Sequence, residues 1–146
     1  ARTMNIQIAE AEALKHQYGL AGGDSASGKR VFEALVPPLT DLVEQIKKHI
    51  SYYESHSGHE HLERPGATIQ KIILCGGGSN LRGLAQFLLR ELHKEVSIGN
   101  PWINILPTSL KELPPLSFAE SLRYTTAFGL ALRAFVSHDQ SFARKV

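Results

Sequence analysis

Apolar and polar positions alternate along the chain in blocks that predict a succession of helices interrupted by two short strands. Ile6, Ile8, Ala11, Leu14 and Tyr18 fall near one face of a helix over residues 3–18, and Gly19 offers the left-handed cap that ends many helices. Residues 19–29 contain Gly22-Gly23-Asp24-Ser25 and Ser27-Gly28, a composition that prefers turns, so a flexible connection that buries nothing is expected. From Val31 the pattern resumes. Leu39, Leu42, Val43, Ile46, Ile50 and Tyr53 repeat at helical spacing with Asp41, Glu44, Lys47 and Lys48 between them, which predicts the longest helix. Pro37 and Pro38 lack an amide donor and are expected at a break or in the first turn, with the helix core starting near Pro38.

Residues 56–66 are polar and read as a surface loop. The short β-branched run 69–75 predicts a strand, ending abruptly in Gly76-Gly77-Gly78-Ser79-Asn80 before Leu81, Leu84, Leu88 and Leu92 take up helical spacing. A second strand is predicted over residues 95–98, closed by Gly99-Asn100-Pro101. Residues 102–116 are proline-punctuated and irregular. Ser117 and Glu120 have the form of a capping box introducing a helix to about Phe135, and residues 137–146 read as a polar, frayed tail.

At 146 residues and 16.1 kDa the chain suits one domain able to bury roughly 70% of its unfolded surface. With 16 Lys and Arg against 14 Asp and Glu the net charge is +2, and the absence of a basic stripe excludes a case for nucleic acid or anionic lipid. Apolar runs fall short of the roughly 20 residues needed to span a bilayer. The lone Cys75 excludes an intramolecular disulfide. Opening on Ala1-Arg2-Thr3 and running straight into helical periodicity, the chain is expected to be a processed or truncated piece of something longer.

The glycine turn is the strongest chemical candidate, because residues without Cβ let the backbone approach a ligand closely. It is not a dinucleotide fingerprint, since Gly76-x-Gly78 leads to Leu81 at the third place, and not a Walker loop, since Gly83 is followed by Leu84-Ala85 with no Lys. A tight strand-to-helix turn without a ligand is the alternative left open by the local pattern. His49, His56, His59 and His61 have no Cys nearby and read as solvated rather than metal-binding. Cys75 reads as a small core hydrophobe rather than a nucleophile. Glu12 and Lys15 form a solvated intrahelical pair by default, and Trp102 is expected to pack the end of the small sheet.

Ile72-Ile73-Leu74-Cys75-Gly76-Gly77-Gly78-Ser79-Asn80-Leu81-Arg82-Gly83-Leu84 resembles the adenosine motif of the actin-like ATPase superfamily. Together with Ile98-Gly99-Asn100-Pro101-Trp102 and the run from Ser121 to Arg133, the chain is similar to the carboxy-terminal part of the PilM family of type IV pilus assembly proteins, relatives of the cell-division protein FtsA. The resemblance implies an α/β, helix-rich, partial actin-like ATPase (ribonuclease H-like) fold. Residues 1–20 and 67–146 would form part of a large subdomain, and residues 21–66 its small inserted subdomain with a long helix and polar loop.

It further implies that Gly76, Gly77 and Gly78 approach the adenosine and α-phosphate side of ATP, with Asn80 next to the base. Glu12 and Lys15 match the Glu-x-x-Lys pair that reaches ribose and adenine in DnaK-type relatives. The phosphate-gripping hairpins and the acidic residue of this superfamily belong to the amino-terminal part, and no Asp-x-Gly-rich hairpin occurs in this sequence. ATP or ADP with Mg is therefore implied for the intact protein, and none necessarily for this chain, which by itself is not expected to hydrolyse ATP. Implied partners are the amino-terminal half of the same protein and PilN-like inner-membrane assembly proteins, with a cytoplasmic location peripheral to the membrane. Self-association through an uncovered sheet edge is a further expectation. The alternatives are an FtsA-like fragment, against which residues 137–146 argue by lacking an apolar face, and an actin-like interaction module that binds no nucleotide.

Overall fold

The computed structural model describes residues 4–56, 68–103, 105–106 and 115–143, with side chains described as far as Ala134. Its elements are α1 (Ile8–Tyr18), α2 (Ala26–His56), β1 (Lys71–Leu74), a 3₁₀ turn (Gly77–Asn80), α3 (Leu84–Leu92), β2 (Glu95–Ile98), α4 (Phe118–Ser121), a second 3₁₀ turn (Leu122–Tyr124) and α5 (Thr125–Ala143). The architecture is helix-rich α/β with one two-stranded parallel sheet. The chain divides into two compact units, the first Ala1–Ile73 with Leu81–Ser97 and the second Leu74–Asn80 with Ile98–Val146.

In the first unit α1 begins at Ile8 rather than near residue 3, because Asn5 takes a left-handed conformation (φ +51°) that a helix cannot contain. Ala11, Leu14 and Tyr18 are half-buried as the apolar face predicts, whereas Ile8 at its start is 75% exposed. Gly19 ends the helix as expected, at φ +53°, with its N–H donating to Lys15 O at 2.9 Å. Its lack of a side chain is needed twice over. A Cβ there would lie 2.6 Å from the Arg82 carbonyl oxygen, which also accepts from the Leu20 N–H at 2.8 Å. Arg82 Nη1 in turn donates to Gln17 O at 2.6 Å, and a Cβ on Gly83 (φ +83°) would come within 3.1 Å of Leu20 Cβ. The end of α1 is thus tied to the approach to α3 by backbone contact that only glycine permits.

The connection over residues 19–29 is not the flexible linker that its composition suggests. Ser25 caps the next helix, its Oγ accepting from the Gly28 N–H at 2.9 Å, so α2 starts at Ala26. Gly28 is buried because its missing Cβ makes room for Gly22, whose carbonyl oxygen would stand only 1.7 Å from it. Pro37 and Pro38 likewise do not break α2, which continues for 31 residues, about 46 Å at the usual rise. Both prolines face solvent, where water can satisfy the carbonyls of Glu33 and Ala34 that lose their helical partners. On the opposite side Gly28, Val31, Leu39 and Val43 form a buried seam. Against α2 pack α1 and α3, and α3 contributes Leu84, Leu88 and Leu92 at four-residue spacing.

Strand β1 is shorter than the predicted 69–75. Ile69 spends its backbone on a side-chain clasp, its N–H donating to Glu54 Oε1 (3.2 Å) and its carbonyl accepting from Lys94 Nζ (2.8 Å). Cross-strand Lys71 and Glu95 pair at 2.6 Å on the exposed side. Alternation leaves Ile72 and Leu74 half-buried and Lys71, Ile73 and Cys75 exposed. The expectation of a core thiol at Cys75 is corrected accordingly: among the described residues the sheet has two strands and Cys75 is left exposed.

In the second unit the Gly99 N–H donates to Leu74 O at 2.8 Å. Trp102 makes its ring contact with an aromatic residue. Its ring lies against Phe128 of α5, centroids 4.8 Å apart, steered by an Asx turn in which Asn100 Oδ1 accepts the Trp102 N–H. The capping box forms as predicted, with Ser117 Oγ accepting from the Glu120 N–H and the Ser117 N–H donating to Glu120 Oε2. The helical run it opens passes the expected end at Phe135 and reaches Ala143, so most of the segment read as a frayed tail is helical backbone. Of the loop read over residues 56–66, His56 instead closes α2, and residues 57–66, with His59 and His61, lie outside the described residues, as do Asn104 and residues 107–114 of the irregular stretch.

Replacing Gly19 by Ala should destabilise the first unit by about 2 kcal/mol or more, since it combines backbone strain with a carbonyl clash. Gly23→Ala, where a Cβ meets nothing within 4 Å, should stay within about 0.5 kcal/mol of the parent. Urea unfolding followed by circular dichroism distinguishes the two outcomes.

Candidate functional site

The glycine turn lies in the second unit and is held from behind by the segment at residues 117–124. Three ties connect them. The Gly76 N–H donates to Leu122 O at 3.0 Å, Asn80 Nδ2 donates to Ala119 O at 2.7 Å, and the stem of Arg123 lies along Gly77. The turn also closes on itself, because the Ser79 N–H and Oγ both donate to Gly76 O, at 3.1 and 2.6 Å. Ser79 and Ser121 are buried polar residues, and each is satisfied within its own turn, Ser121 Oγ donating to Phe118 O. The backbone here is fixed by hydrogen bonds, not by bulk.

The three glycines are there for different reasons. Gly76 sits at φ +86°, a conformation that side chains avoid. At Gly77 a Cβ would stand 3.0 Å from Arg123 Cγ, so packing of that arginine requires a bare backbone. Gly78 has neither demand: its φ is ordinary and a Cβ would meet nothing within 4 Å. The space in front of it is open, and nothing in the described protein calls for glycine there.

Electrostatics in this unit are local. Glu120 is held below the ordinary carboxylate range, first by the hydrogen bond from the Ser117 side chain, then by that from its backbone N–H, with a smaller contribution from the charge of Arg123.

In the first unit Glu12 and Lys15 face each other on successive turns of α1, with Lys15 Nζ 2.7 Å from Glu12 Oε2 and 2.9 Å from Oε1. The hydrogen bond and charge of Lys15 lower the Glu12 pKa, so the carboxylate stays ionised further into acid than a free one. Both side chains are well exposed and form the intrahelical pair that the i, i+3 spacing predicts. Cys75 is exposed beside the turn. Among the described residues no group of three or more His, Cys, Asp or Glu comes close enough to hold a metal ion.

Ala119, Leu122 and Arg123 escape the sequence reading as site residues. The capping box marks where their segment starts, but no local periodicity pairs positions some forty residues apart.

Ser117→Ala should lower the stability of the second unit by about 1 kcal/mol, read by the fluorescence of Trp102, the protein's only tryptophan. Because the folded pKa of Glu120 is depressed, its contribution is complete above the ordinary carboxylate value and fades as pH falls through the lowered one. Stability should therefore drop as pH falls below the ordinary carboxylate range in the parent, and less steeply in Ser117→Ala.

The comparisons agree with the resemblance carried by the glycine turn. The family model for type IV pilus assembly protein PilM matches residues 1–135. The comparison with curated proteins finds no match.

Proposed function

Because the chain belongs to the family of type IV pilus assembly protein PilM, we propose that it forms the adenine-side half of a nucleotide cleft in a cytoplasmic scaffold for pilus assembly. Its role lies in type IV pilus assembly. The finer reading, a partial actin-like ATPase fold whose shape answers to nucleotide, rests on the residues of the turn.

The observation that carries it is Gly78. An open space over a glycine that the protein's own backbone and packing do not require fits the close approach of a ligand. Gly76 shapes the turn, Gly77 carries the stem of Arg123, Gly78 keeps the outer surface beside it bare, and Asn80, anchored through its amide nitrogen to Ala119, retains an amide oxygen to accept a hydrogen bond. On α1, Glu12 offers a carboxylate to hydroxyls and Lys15 an ammonium to ring nitrogens. When bound, ATP or ADP with magnesium supplies a phosphate chain whose length the scaffold can sense. The residues of the turn bind and orient it. The described residues include no cluster of metal-ligating side chains, so no step at magnesium is assigned to them.

In this reading the amino-terminal half of the same protein closes the cleft, PilN-like inner-membrane proteins are bound elsewhere on the intact molecule, and the location is cytoplasmic, peripheral to the membrane. Among the described residues the two-stranded sheet leaves one edge of each strand unpaired, and Ile73 is 59% exposed. That supports pairing with further strands or self-association. No described helix is long and apolar enough to cross a membrane.

A second reading, an actin-like interaction module without nucleotide, draws on a specific observation: the Gly76 amide and the Asn80 side-chain amide are already engaged within the protein. Calorimetric titration of ATP and ADP with magnesium into the full-length protein separates the two. The cleft reading expects binding that Gly78→Val weakens at least about tenfold, with melting temperature unchanged because the added side chain meets open space. No binding by the parent protein would establish the interaction module instead. Parent-like binding by Gly78→Val would remove the turn from the site.

A further inference from the structure

We infer that Arg123 is a contact for the phosphate chain of the nucleotide, laid across the glycine turn to meet a negative charge. The inference rests on the cleft reading above and adds to it a residue that the glycine motif does not contain.

The geometry sets it apart from an ordinary surface arginine. A Cβ on Gly77 would lie 3.0 Å from Arg123 Cγ, 3.4 Å from Nε and 3.6 Å from Cδ, so the stem and the start of the guanidinium run directly over that residue. The bare backbone of Gly77 is the platform that permits it. Position along the chain is fixed too, because Leu122, the preceding residue, is 1% exposed and its carbonyl holds the Gly76 amide. The backbone that carries Arg123 is therefore held beside the turn.

Its charge is uncommitted. Among the described residues the Arg123 guanidinium makes no hydrogen bond and no salt bridge. Glu120, the acidic residue whose titration feels its charge, is already bound through Oε2 to the hydroxyl and amide of Ser117, at 2.5 and 3.2 Å. Five N–H donors are thus carried to the edge of a turn that stays open on its Gly78 side. Guanidinium groups match phosphate oxygens in geometry and in charge. Only the phosphates of a nucleotide carry charge, so they are the part of it that matches the guanidinium in charge as well as in hydrogen bonding.

The test is titration of ADP into the full-length protein and its Arg123→Gln and Arg123→Lys variants at several salt concentrations. The inference expects Arg123→Gln to weaken ADP about tenfold or more and to flatten the salt dependence of binding, while Arg123→Lys keeps the salt dependence and part of the affinity. Affinity within twofold of the parent in Arg123→Gln overturns it. So does weakening with an unchanged salt dependence, which would mean that the stem merely packs on Gly77. Failure of the parent protein to bind ADP at all removes the cleft reading and this inference together, an outcome distinct from either of those.

Discussion

A single backbone hydrogen bond, from the amide of Gly76 to the carbonyl of Leu122, is the constraint on which the candidate site depends. Leu122 is buried and its carbonyl also accepts from the hydroxyl and the amide of Thr125, so the Gly76 amide meets an acceptor whose position the next turn already holds. Gly76 can present its amide there because it adopts a positive φ. Once the bond forms, Asn80 reaches Ala119, Ser79 folds back on Gly76, and Arg123 comes down on Gly77. A segment of five residues thereby acquires a fixed shape from contacts made some forty residues later in the chain.

The first unit obeys the same rule with different residues. Its α1 ends where Gly19 lets two stretches of backbone touch, and Arg82 returns a side-chain hydrogen bond to the carbonyl of Gln17. The buried seams of α2 and α3 supply the apolar driving force. The glycine contact decides where along the chain α1 stops. At the other end of α2, Glu54 and Lys94 clasp Ile69 and set the start of β1. In both units polar and glycine contacts position elements whose stability comes from leucine and valine packing.

Features that depend on nearest neighbours are readable from the sequence. The Gly19 cap, the Ser117–Glu120 box, the strand at residues 95–98 and the leucine spacing of α3 all fall where local chemistry puts them. The errors share a cause in contacts made at a distance. Glycines 22 and 28 look like linker residues but meet each other at close range, which turns a supposedly loose segment into a packed one. Pro37 and Pro38 look like helix breakers, yet the buried seam on the far side of α2 outweighs the loss of two hydrogen bonds that water can replace. Cys75 looks like a core thiol only if more strands cover it. The glycines of the turn stand out at once, whereas Arg123 becomes visible only when the fold lays it over them.

That the glycine turn is a nucleotide wall is tested most directly by hydrogen exchange on the full-length protein, with and without saturating ADP and magnesium. The account predicts that ADP slows exchange in peptides covering residues 76–80 and leaves the middle of α2 unchanged. Exchange at residues 76–80 that stays the same while ADP is demonstrably bound would contradict it.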